Sequence, residues 1–195
     1  MDEGGDKMYN SMSRLPQIPY NILTYLAQEE QILWKLLAYN GYDALSQPDL
    51  TFSQKMDLLW KEGPQEPYNI FFTNIVDDAI PESKTIMKIY NYYIHASNLY
   101  LAPTVYAFDI LYGPKMSLVE YNGVPVSRAD LFVNRLLALL NGVYVGGVGK
   151  LTFFDDMSRY DLGRSIIGNS KTFTGYQLFL SVNVGDTGEE ESCVS

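Results

Sequence analysis

The sequence predicts an α+β domain in which N-terminal helices precede a mainly antiparallel sheet and one later helix packs across that sheet. Three observations predict it. Apolar residues recur at helical spacing up to about residue 63. From Tyr68 onward the period shortens to two, and aromatic and β-branched residues concentrate there. A single well-capped stripe from Ser127 to Leu140 interrupts the strands with an apolar face that needs a sheet to cover it.

Residues 1–14 are polar and glycine-rich, and residues 185–195 carry Glu189-Glu190-Glu191, so both are expected to be mobile arms. Between them lies one α+β domain, 15–184, with a helical part over 15–63 and a sheet-forming part over 68–184. Leu15-Pro16-Gln17-Ile18-Pro19 breaks regular structure. Over 20–38, Ile22, Leu23, Leu26, Ile32, Leu33, Leu36 and Leu37 fall on one stripe, which predicts one helix ended by Asn40-Gly41, with the glycine available for a left-handed cap. Thr51-Phe52-Ser53-Gln54 has the form of a capping box, and a short helix to about Lys61 should follow before Gly63-Pro64-Gln65-Glu66-Pro67 stops it. Trp34 and Trp60 fall within these helical patterns, where core packing is expected.

Strands are predicted over 68–76, 85–94, 104–112 and 116–121, the third placing Tyr106, Phe108, Ile110 and Tyr112 on one face. Asn122-Gly123 is a type I′ turn pair, suited to antiparallel partners. Ser127 caps the next helix, Asp130 lies near its positive end, and Leu131, Phe132, Val133, Leu136, Leu137 and Leu140 form its stripe. Asn141-Gly142 ends it, and strands are predicted over 148–154 and 175–184. The last puts Tyr176, Leu178, Leu180 and Val182 on one side and Gln177, Ser181 and Asn183 on the other. Phe179 interrupts the polar side, which points to a contact with another chain.

Composition excludes several functions. With 47% apolar and 19% charged residues the chain can bury a core, and its net charge of −9 has the wrong sign for a protein that binds by neutralising phosphates. One histidine and one cysteine leave metal clusters, disulfide frameworks and Cys/His catalysis without parts. No apolar run approaches the roughly 20 residues a membrane span needs, and the Met1-to-Lys7 segment lacks a secretory pattern, so synthesis in a reducing cytoplasm and no membrane are expected. Sixteen tyrosines suit half-buried strands and protein interfaces, because the ring buries area while the hydroxyl keeps a partner.

The candidate sites are weak. In the glycine-rich segment 142–150, Gly149-Lys150 would require glycine at Tyr144 and Ser or Thr at Leu151, and the segment runs from helix to strand, the reverse of a phosphate cradle. Asp77-Asp78 with Glu82, and Asp155-Asp156 with Asp161, are best read as solvated loop charges. His95 lies near Ser97 and Asn98 without a nucleophile elbow, and Ser165 and Ser170-Lys171-Thr172 lack a second catalytic motif. No catalytic, cofactor-binding or metal-ligating residue is assigned, and neither an enzyme nor a cofactor is expected.

The segments 18–27, 33–45 and 121–130 together resemble neck proteins of tailed bacteriophages. The helix from Ser127 to Leu140, the strand from Val148 and the closing segment from Asn169 to Val182 resemble tail-terminator and head-to-tail connector subunits. The resemblance covers residues 15–184, and departs in an N-terminal helical region longer than a compact terminator needs. It implies a structural virion protein that closes into a homo-oligomeric ring in the neck or tail, assembled in the host cytoplasm, against neighbouring neck, portal-side or tail proteins. DNA would pass through the channel without specific binding, repelled by an acidic bore. Edge strands would supply the ring contact, since a heterologous contact repeated by rotation closes. The rival readings are a small cytoplasmic enzyme or ligand-binding protein with a cleft near Asp77, His95 and Asp155, and a capsid-associated or baseplate component.

Overall fold

The apolar stripe of the N-terminal segment and the period-two strands meet in one core, described by a computed structural model over residues 15–74, 84–94, 102–153, 164–167 and 173–184. A 3-10 turn (Leu15–Gln17) leads into α1 (Ile18–Glu29), which carries Pro19 in its first turn, where a missing N–H costs nothing. Then come α2 (Ile32–Ala38) and α3 (Phe52–Met56). Strands β1 (Ile70–Phe71), β2 (Thr85–Ile94) and β3 (Ala102–Tyr112) precede a hairpin of β4 (Leu118–Tyr121) and β5 (Val124–Ser127). Helix α4 (Arg128–Leu140) follows, then β6 (Tyr144–Val145), β7 (Gly149–Lys150), β8 (Thr152–Phe153), β9 (Arg164–Ile167) and β10 (Thr174–Val184).

The main sheet runs β1-β2-β3-β10, with β8 and β9 both on the far side of β10. Every pair is antiparallel except β1 with β2, which is parallel and spans only Ile70↔Met87 and Phe71↔Lys88. One face of the sheet, carrying Met87, Ile89, Tyr106, Phe108, Ile110, Leu178, Leu180 and Val182, packs against Ile22, Leu26, Leu33, Leu37, Phe132, Leu136 and Leu140 of α1, α2 and α4. This is the expected α+β architecture, with a helix packed across the sheet.

Several elements agree with expectation in detail. Thr51 accepts from the Gln54 N–H while Gln54 Oε1 accepts from the Thr51 N–H at 2.9 Å, a complete capping box. Asn122 and Gly123 both have positive φ, 54° and 79°, as a type I′ turn requires. Ser127 Oγ accepts from the Asp130 N–H, and Gly142 at φ 78° follows the end of α4.

Other expectations are corrected. The helix expected over 20–38 is two helices, because buried polar groups take the backbone at Glu30-Gln31. Glu30 Oε1 accepts from the Ile32 N–H (2.8 Å), Lys55 Nζ donates to the Ala27 and Glu30 carbonyls (2.8 and 2.6 Å), and Gln31 exchanges hydrogen bonds with the Leu50 backbone. Gly41 is not a left-handed cap: α2 ends at Ala38 with Tyr39 extended, and the Leu36 and Tyr39 carbonyls accept from Arg128 while that of Leu37 accepts from Asn69 Nδ2. Helix α3 stops at Met56, five residues before Lys61, since Leu59 bridges to Ile70 and Trp60 N–H donates to the Ile70 carbonyl. Trp60 is therefore extended, its ring 6.3 Å from that of Phe71.

Of the strand expected over 68–76, the described part to Asn74 forms only β1; the one expected over 116–121 begins at Leu118 after a 3-10 turn; and the one over 148–154 is divided, up to Phe153, into β7 and β8 at Leu151, residues 75, 76 and 154 lying outside the described residues. Leu151 turns the chain there: its N–H donates to the Val143 carbonyl and its own carbonyl accepts from Gly142. The expected arms, 1–14 and 185–195, lie outside the described residues.

Candidate functional site

On the sheet face opposite the helices, apolar residues flank one row of polar side chains. Ile86, Phe71 and Leu111 cluster at one end, and Val105, Ala107 and Phe179 at the other. Between them, register sets Lys88 (β2) opposite Asp109 (β3) and Asp109 opposite Gln177 (β10), with Tyr90 one pleat further along β2. The Tyr90 hydroxyl donates to Asp109 Oδ2 (3.2 Å), Gln177 Nε2 donates to Asp109 Oδ1 (2.7 Å) and to the Tyr90 oxygen (3.0 Å), and Lys88 Nζ donates to the Asn74 carbonyl (3.2 Å) at 4.0 Å from Asp109 Oδ2.

Burial dominates the protonation of this row. It pushes the Asp109 carboxyl up, against Gln177, Lys88 and Tyr90, which favour its charge; it pushes the Lys88 ammonium down; and, with Asp109 beside it, it raises the Tyr90 phenol to about 12. Each of the four side chains in the row is hydrogen-bonded, so the arrangement fixes three strands and the Tyr90 ring; it does not hold a nucleophile beside a base. A charge of opposite sign in the middle of each of two adjacent apolar strands, Thr-Ile-Met-Lys88 and Ala-Phe-Asp109, was the available sequence signal for it.

Beside this row the sheet has an open edge. β1 covers β2 only at Met87 and Lys88, after which Phe72, Thr73 and Asn74 bend away and leave a cleft of about 530 Å³ lined by those three residues and Tyr90, Asn91 and Tyr92. Among the described residues no strand pairs with β2 beyond Lys88 on that side. A bulge between Asn91 and Tyr93 follows, and Tyr92, Tyr93 and Ile94 remain 48, 43 and 41% exposed. Elsewhere edges are blunted or short: β1 is covered by the Leu58–Trp60 backbone, β5 carries Pro125, which has no N–H to offer, and the far side of β10 is taken by the short strands β8 and β9.

Phe179 is corrected here. It lies on the side of β10 expected, but it is 2% exposed, packed with Val105, Ala107 and Tyr90, and its ring meets that of Tyr92 edge-on at 4.8 Å. Tyr92 and Tyr93 of β2, two strands away, are exposed instead, as are Tyr20, Tyr42, Phe52 and Tyr144 elsewhere in the chain.

The glycine-rich segment 142–150 is the β6-β7 hairpin, with Gly147 and Gly149 at positive φ; it aims no helix N-terminus at an anion. Asp77, Asp78, Glu82, His95, Asp155, Asp156, Asp161, Ser170, Lys171 and Thr172 lie outside the described residues, and Ser165 is described only as a backbone position of β9. Among the described residues no three His, Cys, Asp or Glu side chains gather as metal ligands, and no helix is long and apolar enough to cross a membrane.

The profile of a family described as YomW matches residues 30–182. No curated protein and no solved structure matches the chain.

Proposed function

We propose, on the premise that this chain belongs to the YomW family, a phage-derived family, that this phage protein is a structural virion subunit which closes into a ring in the neck, terminating the tail or joining it to the head. The open, aromatic edge of β2 carries the proposal. Proteins that stay monomeric shorten, charge or cover such edges, and this chain covers β1 with the Leu58–Trp60 backbone and blunts β5 with Pro125 while leaving Tyr92, Tyr93 and Ile94 exposed. The polar row locks β2 to β3 and β10, so the edge is presented with little conformational freedom left to lose on docking. A net charge of −9 suits a channel that DNA slides through without sticking. Electron microscopy of phage particles labelled with an antibody against the chain should place it at the junction of head and tail. Its absence from particles would remove the reading.

A further inference from the structure

We propose that the partner at the β2 edge is the N-terminal arm, residues 1–14, of a second copy of the chain, added alongside β2 as an extra strand; this rests on the ring-forming reading above. The edge needs a strand rather than a flat surface. β1 leaves β2 after Lys88, and the cleft that opens between Phe72–Asn74 and Tyr90–Tyr92 lies in line with the ladder position β1 has vacated. A peptide lying there would gain main-chain hydrogen bonds along β2 and side-chain contact with Tyr92 and Ile94.

The arm starts in the right place. The Tyr106 hydroxyl donates to the Leu15 carbonyl, and Tyr106 is the register partner of Asn91, so the chain enters the fold on the helix side of the sheet, one strand in from this edge. It is also long enough to reach a neighbour. Fourteen extended residues span roughly 46 Å at about 3.3 Å each, while a folded chain of this length has a radius of gyration of roughly 16 Å and hence a diameter of about 42 Å. Met8-Tyr9-Asn10-Ser11-Met12-Ser13 contains no charge and no proline, so every residue keeps a backbone N–H to offer a ladder. Rotational symmetry repeats the donation around a ring, giving each subunit one arm given and one received.

The test uses the full chain with Cys193→Ser, Tyr9→Cys and Ile94→Cys. After assembly and oxidation it should give a ladder of covalent multimers on a denaturing gel, whereas each single-cysteine variant stops at the dimer. Removing residues 1–14 should raise the apparent dissociation constant of self-association in sedimentation velocity at least ~tenfold with an unchanged circular dichroism spectrum. Ile94→Lys in the full chain should do the same. A truncated chain that assembles as well as the full one, or oxidation yielding only an intrachain disulfide, overturns the arm proposal and leaves the ring reading standing. A full chain that stays monomeric and is absent from phage particles removes both.

Discussion

Replacing Arg128 by methionine, which keeps most of the apolar stem and removes the guanidinium, should unfold this protein at markedly lower denaturant. Arg128 is 1% exposed, and four of its five donors go to four backbone carbonyls: Leu36 (2.9 Å) and Tyr39 (3.0 Å) from one terminal nitrogen, Gly41 (2.7 Å) from the other, and Met116 (3.0 Å) from Nε. These belong to the end of α2, the loop after it, and the turn before β4, so one side chain ties three segments to the start of α4. No carboxylate faces it in these contacts, and burial pushes the guanidinium down to about 10, leaving it charged at neutral pH. The Tyr39 and Gly41 carbonyls are partly exposed and can be rehydrated, but those of Leu36 and Met116 are buried, and each left unpaired costs about 1–3 kcal/mol. Relief from burying a charge offsets part of this, so the expected loss is about 3 kcal/mol. That is a large share of the roughly 5–15 kcal/mol of a typical domain and about 6–12 °C in Tm for a chain of this size. Urea titration followed by tryptophan fluorescence reads it directly, with the midpoint falling and the slope unchanged. Arg128→Lys should recover only part, since an ammonium has three donors and no planar fork. A loss below about 1 kcal/mol for the methionine variant would refute the argument that this guanidinium caps α2.

Gly175→Ala should be more damaging than a methyl group suggests, because its Cβ would lie 1.8 Å from the Ile110 carbonyl oxygen and 2.8 Å from its carbon, backbone that cannot yield without breaking the β3-β10 ladder; a loss of about 3 kcal/mol in thermal melts is expected, and wild-type stability would contradict the close approach. The Tyr90 and Tyr106 phenols, raised from 10.0 to about 12 chiefly by burial, keep their protons longer in the folded chain than in the unfolded one. Their contribution to stability is therefore whole below pH 10 and is lost as pH climbs from about 10 to about 12. Ultraviolet titration should show a late phenolate step that shrinks in Tyr90→Phe, and a single step near pH 10 in the folded protein would rule this out.

Local chemistry was legible wherever neighbours in sequence settle the matter. The capping box at Thr51, the cap at Ser127 and the turn at Asn122-Gly123 each close hydrogen bonds or fix φ within four residues, and each is where the sequence places it. The bounds of β2 were also readable, because β-branched and aromatic residues run from Thr85 to Ile94. Misreadings came where a distant side chain takes over the backbone. Lys55, 25 residues from Glu30, cuts the first helix in two, and Arg128, 92 residues from Leu36, ends the second without a glycine. Period-two alternation placed Phe179 correctly opposite the core, but could not reveal that Tyr92 would lie against it.

By itself, then, the residue order determined the fold class, the alternation of the long strands and the scarcity of reactive groups, since these depend on composition and on periods of two and 3.6. Only the tertiary structure decided that, among the described residues, β2 is unpaired on one side beyond Lys88, because that depends on β1 pairing with β2 for two residues and then bending away. It also decided that Lys88, Tyr90, Asp109 and Gln177 form one row, since the register of three strands distant in sequence brings their charges and hydrogen bonds together where burial makes pairing compulsory.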